Sequence, residues 1–405
     1  MSSVIRLVRK IRPVPPRLAS EDEAVDVAKA LALHLSKDAS LRDRQRILPF
    51  NEMELVSQSG LLAVTVPPEH GGADISNPFL AEVIAILSEA DASIGQIPQN
   101  HFYILEVLRL AGTAEQQRYF FSRALAGDHF ANALAEAGTK TAGGISTRLI
   151  PDGVGFRVTG QKYYSTGALF CDWIAIFALD PKDRMVMAIV PRDASGVTVI
   201  DDWAGFGQRT TASGTVLIDN AYVPADAIIG HADLFEQANT LGSLGQLLHA
   251  AVDLGIARAA FADMIDFIRT RARGNLSLGI DTASADPLTI ARTGTVSVKI
   301  EAASALLERA GQKVDTAQIN PSSKTAAEAS LAVAAAKILT TEAALEASNT
   351  LFELSGTAAT DERLNLDRHW RNARTHTVHD PVRWKYHAIG DFHLNGRLPS
   401  PSGIF

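Results

Sequence analysis

The run from His369 to Pro381 sets two imidazoles, His376 and His379, three residues apart, with the Asp380 carboxylate next door. On a helix that spacing puts both rings on one face, so both can enter one pocket. Imidazole is the side chain best suited to move protons near neutral pH. Five of the eleven histidines lie between His369 and His393, which makes this end of the chain chemically unusual. Arg368, Arg371 and Arg374 repeat at the same interval. That stripe is either a solvated, ion-paired face or a cationic rim for a phosphate. A His-x-x-His pair also suits a metal. No second pair of Glu or Cys ligands accompanies it, so no metal is expected.

The elements that must carry these groups follow from periodicity. Ser20 to Glu23 reads as a capping box that starts a helix running towards Arg46. Asn51–Ser59, Pro78–Ala90 and Ile94–Leu110 continue a helical first third, and Thr113 with Gln116 caps one more helix. From Phe130 to about Ile229 the apolar period falls to two, with Gly and Pro turns. Phe156–Thr159, Ile174–Phe177, Met185–Val190, Val197–Ile200 and Thr215–Ile218 are expected strands of a barrel or sandwich. Helical periodicity returns after Leu234, in long runs over Leu241–Arg271, Pro287–Val314 and Lys324–Leu354, the last stopped by Gly356. The His/Arg run forms a final helix limited by Pro381. The expected organisation is an arm over 1–19, an all-α domain over 20–129, a β-domain over 130–233 and a four-helix bundle over 234–405. The fold class is α+β and multidomain.

A chain of 405 residues, 46% hydrophobic and 20% charged, is an ordinary globular protein of two or three domains. Its net charge of −7 argues against nucleic acid as a partner. Cys171 is the only cysteine. No internal disulfide can form, a reducing cytoplasm suits the chain, and Cys171 is expected in the core. The alanine-rich stretch 329–347 is interrupted by Lys337, Glu342 and Glu346, which suits a bundle helix and not a membrane span. Arg6, Arg9, Lys10, Arg12 and Arg17 make the N-terminus a flexible basic arm without the apolar core of a signal peptide. No Gly-x-Gly-x-x-Gly joins a strand to a helix, and neither a P-loop nor a Gly-x-Ser-x-Gly elbow occurs.

The helix–sheet–bundle order resembles the acyl-CoA dehydrogenase superfamily over nearly the whole chain. Asn132–Gly138, Gly160–Gly167 and Phe206–Thr211 through Val223-Pro224 are similar to its flavin-side strands. Dehydrogenases of that superfamily carry a glutamate base in a Tyr-Glu-Gly-Thr setting. Here the stretch reads Val378-His379-Asp380-Pro381, and the flavin-side Thr-Glu-Pro has become Ala135-Glu136-Ala137. The run Trp370–Pro381, with Ile97–Phe102, Asp202-Trp203, Phe206–Thr215 and Trp384–Gly390, resembles the superfamily's flavin-dependent monooxygenase branch. That branch comprises dibenzothiophene monooxygenase-like and SfnB-type sulfur-acquisition oxidoreductases.

The resemblance implies a two-component monooxygenase. Reduced FMN would arrive from a separate flavin reductase, react with O2 to a C4a-hydroperoxyflavin, and oxygenate a small organosulfur or related apolar molecule. It implies Ser165 and Asn132 at the flavin edge, His101 and His379 as acid/base groups that also line the substrate cavity, and Trp203 as its apolar wall. Tyr164, Thr166, His376 and Arg273 would complete the cofactor contacts, Arg273 reaching the phosphate from a neighbouring subunit. Gly356-Thr357-Ala358 would lie at the same phosphate end. The alanine-rich helix suits packing into a homotetramer. Taken alone, His101 reads more readily as a core or cap histidine, Ser165 as a strand-end hydroxyl and Trp203 as core. The competing activity is an FAD-dependent acyl-CoA dehydrogenase with Asp380 as base. A flavin-free scaffold that kept only the fold is the third reading.

Overall fold

The computed structural model describes residues 12–138 and 144–399. The helical first part comprises α1 (Glu21–Leu35), α2 (Ala39–Gln45), α3 (Phe50–Gln58), α4 (Asn77–Ala90), α5 (Ala92–Gln96), α6 (Gln99–Ala111) and α7 (Ala114–Leu125). Ser20 accepts from the Glu23 amide at the start of α1, and Thr113 and Gln116 form a reciprocal capping box on α7. The helix expected to reach Arg46 stops at Leu35, where a 3₁₀ turn, Ser36–Asp38, re-aims the chain into α2. The helix expected over Ile94–Leu110 breaks at Ile97-Pro98, because a proline cannot donate to the preceding turn.

The β-part holds β1 (Phe130–Ala133), β2 (Arg148–Asp152), β3 (Gly155–Lys162), β4 (Trp173–Leu179), β5 (Met185–Pro191), β6 (Val197–Ile200), β7 (Thr215–Pro224) and β8 (Ile228–Gly230). They form one connected sheet in the order β6-β7-β3-β2-β4-β5-β8, with β1 added parallel to β4. The sheet therefore branches at β4, whose seven residues are buried on both faces apart from Leu179. A continuous apolar run is what such a doubly covered strand requires.

The last part is α8 (Leu241–Thr270), α9 (Pro287–Ile319), α10 (Ser323–Ser355), α11 (Asp367–Thr377) and α12 (Arg383–Asn395). α8 packs against α4, α9 and α10. Its first half is buried throughout from Leu241 to Ala257 and mostly apolar, with Ser243, Gln246, His249 and Asp253 as the buried exceptions, as suits a central bundle helix. Ala329, Ala332, Val333, Ala336, Ala343, Ala344 and Ala347 line the buried side of α10. Their small side chains let α8 approach closely. One core runs without a break from the first helices through the sheet into this bundle, with a smaller cluster around Met264, Phe267 and Leu351 at its far end.

Part of the basic arm lies outside the described residues. Its described portion is held, not free. Arg12 ion-pairs with Glu54 and Asp172, and Pro15 and Leu18 are buried. Among the described residues no helix is long and apolar enough to cross a membrane.

Candidate active site

Three chain segments meet where β3 ends. An isolated bridge pairs Ala135 with Tyr163, which sets Asn132 and Ser165 on neighbouring segments three and two residues from it. Tyr164 turns the chain at φ 54° and is exposed. Ser165 N–H then donates to Gly214 O (3.0 Å), and Gly167 N–H to Thr211 O (3.1 Å). Thr166 Oγ1 and Ser213 Oγ share a hydrogen bond of 2.7 Å. The loop over 202–214 is thereby fastened to Ser165. The same loop docks on α11: Gln208 N–H donates to Asn372 Oδ1 (2.7 Å), and Arg371 donates to Phe206 O (3.0 Å). Gly207 must be glycine here, because a Cβ would fall 1.9 Å from Arg371 O. Trp203 is fixed by its indole N–H on Gln208 O (2.8 Å) and stands edge-on to Tyr164 at 6.2 Å.

At the end of α11 the histidines gather. His249, from α8, lies 5.2 Å from the His376 ring and 4.5 Å from the His379 ring, centroid to centroid. His376 Nε2 is 3.1 Å from His249 Nδ1, and His376 Nδ1 is 2.5 Å from Asp253 Oδ1. Lys337 of α10 and the Thr341 hydroxyl both donate to the other oxygen of Asp253, at 2.6 and 2.9 Å. Burial alone would raise the Asp253 carboxyl, but Lys337 and His376 outweigh it and hold it at about 2. Burial pushes His376 below its ordinary range despite Asp253, and pushes His249 well below, helped by the neighbouring His379 and His376. His379 keeps more than a third of its surface open, and its ring nitrogens make no hydrogen bond among the described residues. The surrounding protein, His376 and Lys337 hold its pKa down to about 4. At pH 7 it is neutral, with its side chain exposed beside the buried His249.

Two expected roles do not fit this geometry. His101 is completely buried, and its ring is spent on the backbone. Phe130 N–H donates to Nδ1 (3.1 Å), so Nε2 carries the hydrogen and donates to Leu62 O (2.6 Å). With a pKa near 4 and neither nitrogen free, it braces β1 against the helical part, two residues from Asn132, and handles no proton. His376 likewise has both nitrogens committed, to Asp253 and His249, and leaves nothing for a cofactor.

Arg273 is exposed in the loop after α8, roughly 30 Å along that helix from His249. Within one chain it is not brought to the cluster. In the arginine stripe, Arg368 pairs with Asp263, and Arg371 with Asp43 and Asp367. Arg368 and Arg371 are thus committed to structural ion pairs. Asp380 is buried and ion-paired to Lys385, so it does not face the cleft as a free carboxylate.

The residues that fit a flavin are those left wanting a partner. Asn132 Oδ1, Ser165 Oγ, both amide atoms of Gln208 and Thr375 Oγ1 are buried without a hydrogen bond among the described residues. Buried polar atoms are almost always paired, and each orphan costs about 1–3 kcal/mol. An isoalloxazine edge, with alternating N–H and C=O groups, supplies complementary partners. Gln208, His249, Asp253 and Lys337 escaped the sequence reading. Their signal was present: a lone Lys337 in an alanine-rich helix, and His249 and Asp253 four apart in an apolar one, must be paired with something.

The buried histidines make a testable statement about stability. His101, His231 and His369 are each held at about 4 by burial, against 6.5 in water. Below pH 6.5 the unfolded chain binds protons that the folded one does not, so stability falls from about pH 6.5 to pH 4. Below that, Asp253 and Asp263, both held at about 2, remove more as the pH falls through the ordinary carboxylate range. The urea midpoint should drop steadily between pH 7 and 4.5; a flat midpoint there contradicts the assignment.

The likeness to known proteins agrees with this geometry. Three family models match in series: acyl-CoA dehydrogenase N-terminal domain at residues 21–128, middle domain at 131–221 and C-terminal domain at 247–384. A dibenzothiophene monooxygenase of Rhodococcus qingshengii is 32% identical over 96% of this chain and 97% of its own. A probable FMNH2-dependent monooxygenase, SfnC, of Pseudomonas putida is 28% identical over 96% of this chain and 98% of its own. The crystal structure of FMN-bound TdsC from Paenibacillus sp. A11-2 superposes with a TM-score of 0.90 at 29% identity, covering 94% of this chain and 100% of that one. The chain belongs to the acyl-CoA dehydrogenase superfamily and, within it, to the flavin-dependent monooxygenase branch of the dibenzothiophene monooxygenases.

Proposed function

We propose that the protein is a two-component, FMNH2-dependent monooxygenase that oxygenates a small organosulfur or related apolar substrate in sulfur acquisition. The observation that carries this reading is the contrast at residues 379 and 380. The carboxylate that a dehydrogenase would need as a base is buried against Lys385, while the neighbouring imidazole stands open and neutral. A neutral imidazole can take or return one proton beside an activated oxygen; it is a poor substitute for a glutamate aimed at a thioester's α-carbon.

Reduced FMN, when bound, supplies the electrons that activate O2. Ser165 Oγ and Asn132 Oδ1 bind the ring's reactive edge and orient it. Gln208 and Thr375 take further polar groups of the same ring. Trp203 and Tyr164 wall the cleft and exclude water, without which an activated oxygen species is lost as peroxide. His379 holds and moves the proton at its open ring nitrogen. Arg273 serves the cofactor phosphate of a neighbouring subunit in a homotetramer. A separate cytoplasmic flavin reductase supplies the reduced cofactor, in keeping with a chain that shows no dinucleotide fingerprint.

Anaerobic titration separates this activity from its competitor. The protein should bind reduced FMN at micromolar concentration or tighter, show no direct oxidation of NADH or NADPH, and show no bleaching of bound flavin by acyl-CoA. Tight FAD that acyl-CoA bleaches would replace this reading with a dehydrogenase.

A further inference from the structure

The line of buried groups behind His379 has a direction. Asp253 is ionised, so its Oδ1 can only accept, and the hydrogen between it and His376 sits on His376 Nδ1. His376 Nε2 is then a bare lone pair, and the hydrogen in the 3.1 Å contact belongs to His249 Nδ1. It follows that His249 Nε2 is also a bare lone pair. The ring's hydrogen bond among the described residues is the one at Nδ1, and the ring lies 4.5 Å from that of His379. In water a neutral imidazole carries its hydrogen on either nitrogen; here a carboxylate selects the tautomer of two rings in sequence.

We propose that Asp253, His376 and His249 form a proton relay whose working end is His249 Nε2, beside His379. The proposal rests on the oxygenase reading and extends it to residues that do not touch the cofactor. A proton donor in the cleft gives its proton to His249 Nε2. The hydrogen on His249 Nδ1 passes to His376 Nε2, and the positive charge comes to rest on His376 against Asp253. Reversing both transfers returns one proton to the cleft; no electrons move. The charged surroundings favour this end point. His249 faces Lys337 of α10, whose Nζ is 3.5 Å from its carbonyl oxygen, and lies within the field of Lys385 of α12, as well as His376 and His379. The two lysines oppose charge on His249, whereas of the two imidazoles only His376 touches the carboxylate. Asp253 is thus a positioning residue: it fixes two tautomers and receives no proton itself.

The relay can be read without flavin. In full-length protein with 15N-labelled histidine at pH 7, His249 and His376 should both carry hydrogen on Nδ1. His376→Gln leaves the Asp253–Lys337 pair in place and is the safer variant. It should release His249 from the Nδ1–H form, lower kcat for product about 100-fold, and erase one limb of the pH profile. KM and the affinity for reduced FMN should stay within twofold. Asp253→Glu should recover most of the rate that Asp253→Asn loses. A wild-type His249 protonated on Nε2, or a His376→Gln enzyme with the parental pH profile and kcat, overturns the relay. The predicted tautomers in a protein that oxygenates nothing would uphold the relay and remove the oxygenase reading instead.

Discussion

His379→Gln is expected to lower product formation by about 10²–10⁴-fold, the usual contribution of a positioned acid/base group. Glutamine fills the same space and can hydrogen-bond but cannot carry the proton. The side chain is open on one side and makes no hydrogen bond among the described residues, so the fold should be unaffected. Reduced FMN should still bind, because its proposed partners are Ser165, Asn132 and Gln208. Oxygen should still be consumed, now ending as hydrogen peroxide. Measuring product and peroxide together in single-turnover reactions checks both halves. Product at the parental rate would take the proton away from His379.

The second large effect is on stability. Lys337 and Asp253 are 2% and 0% exposed and pair at 2.6 Å in the middle of the bundle. Replacing Lys337 by methionine keeps the volume and strands an ionised carboxylate with only Thr341 and His376 for company. Breaking a buried pair from one side costs about 3–5 kcal/mol. The urea midpoint at pH 7 should show that loss. Adding Asp253→Leu to Lys337→Met removes the stranded charge and should recover more than half of it, because an apolar pair of similar size is often as stable as the ion pair. A Lys337→Met protein within about 1 kcal/mol of the parent would mean that the bundle interior is wet enough to solvate Asp253.

The two predictions concern neighbouring groups with different histories in the sequence. His376 and His379 announce themselves by type and spacing; the helix stops at Thr377, so His379 sits in the turn beyond it instead of on the same helical face, yet both rings pack on His249. The long helices were equally legible: Leu241, Pro287 and Gly356 mark ends where the structure has them, because apolar periodicity and capping chemistry are local. Interruptions were less so. The turn at Ser36–Asp38 and the break at Ile97-Pro98 depend on what α1 and α6 must pack against.

Pairing between distant positions was invisible. His249 and Asp253 lie more than 120 residues from His376, and no local pattern says that α8 and α11 meet there. The same holds for His101. Its type suggested chemistry, but the carbonyl of Leu62 and the amide of Phe130, both far along the chain, consume it. Short strands were missed for a related reason. Arg148–Asp152 is exposed over most of its length, so it lacks the apolar alternation that marks a strand and exists because β3 pairs with it.

The central claim is that this cleft directs one atom of O2 into a sulfur compound. The most direct test supplies the protein with reduced FMN and 18O2 in the presence of a panel of thioethers, sulfinates, sulfones and thiophenes, followed by mass spectrometry. One 18O atom should appear in the product of at least one class, with peroxide falling in proportion. Complete recovery of the label as hydrogen peroxide with every compound, from protein that has bound the flavin, would contradict the account.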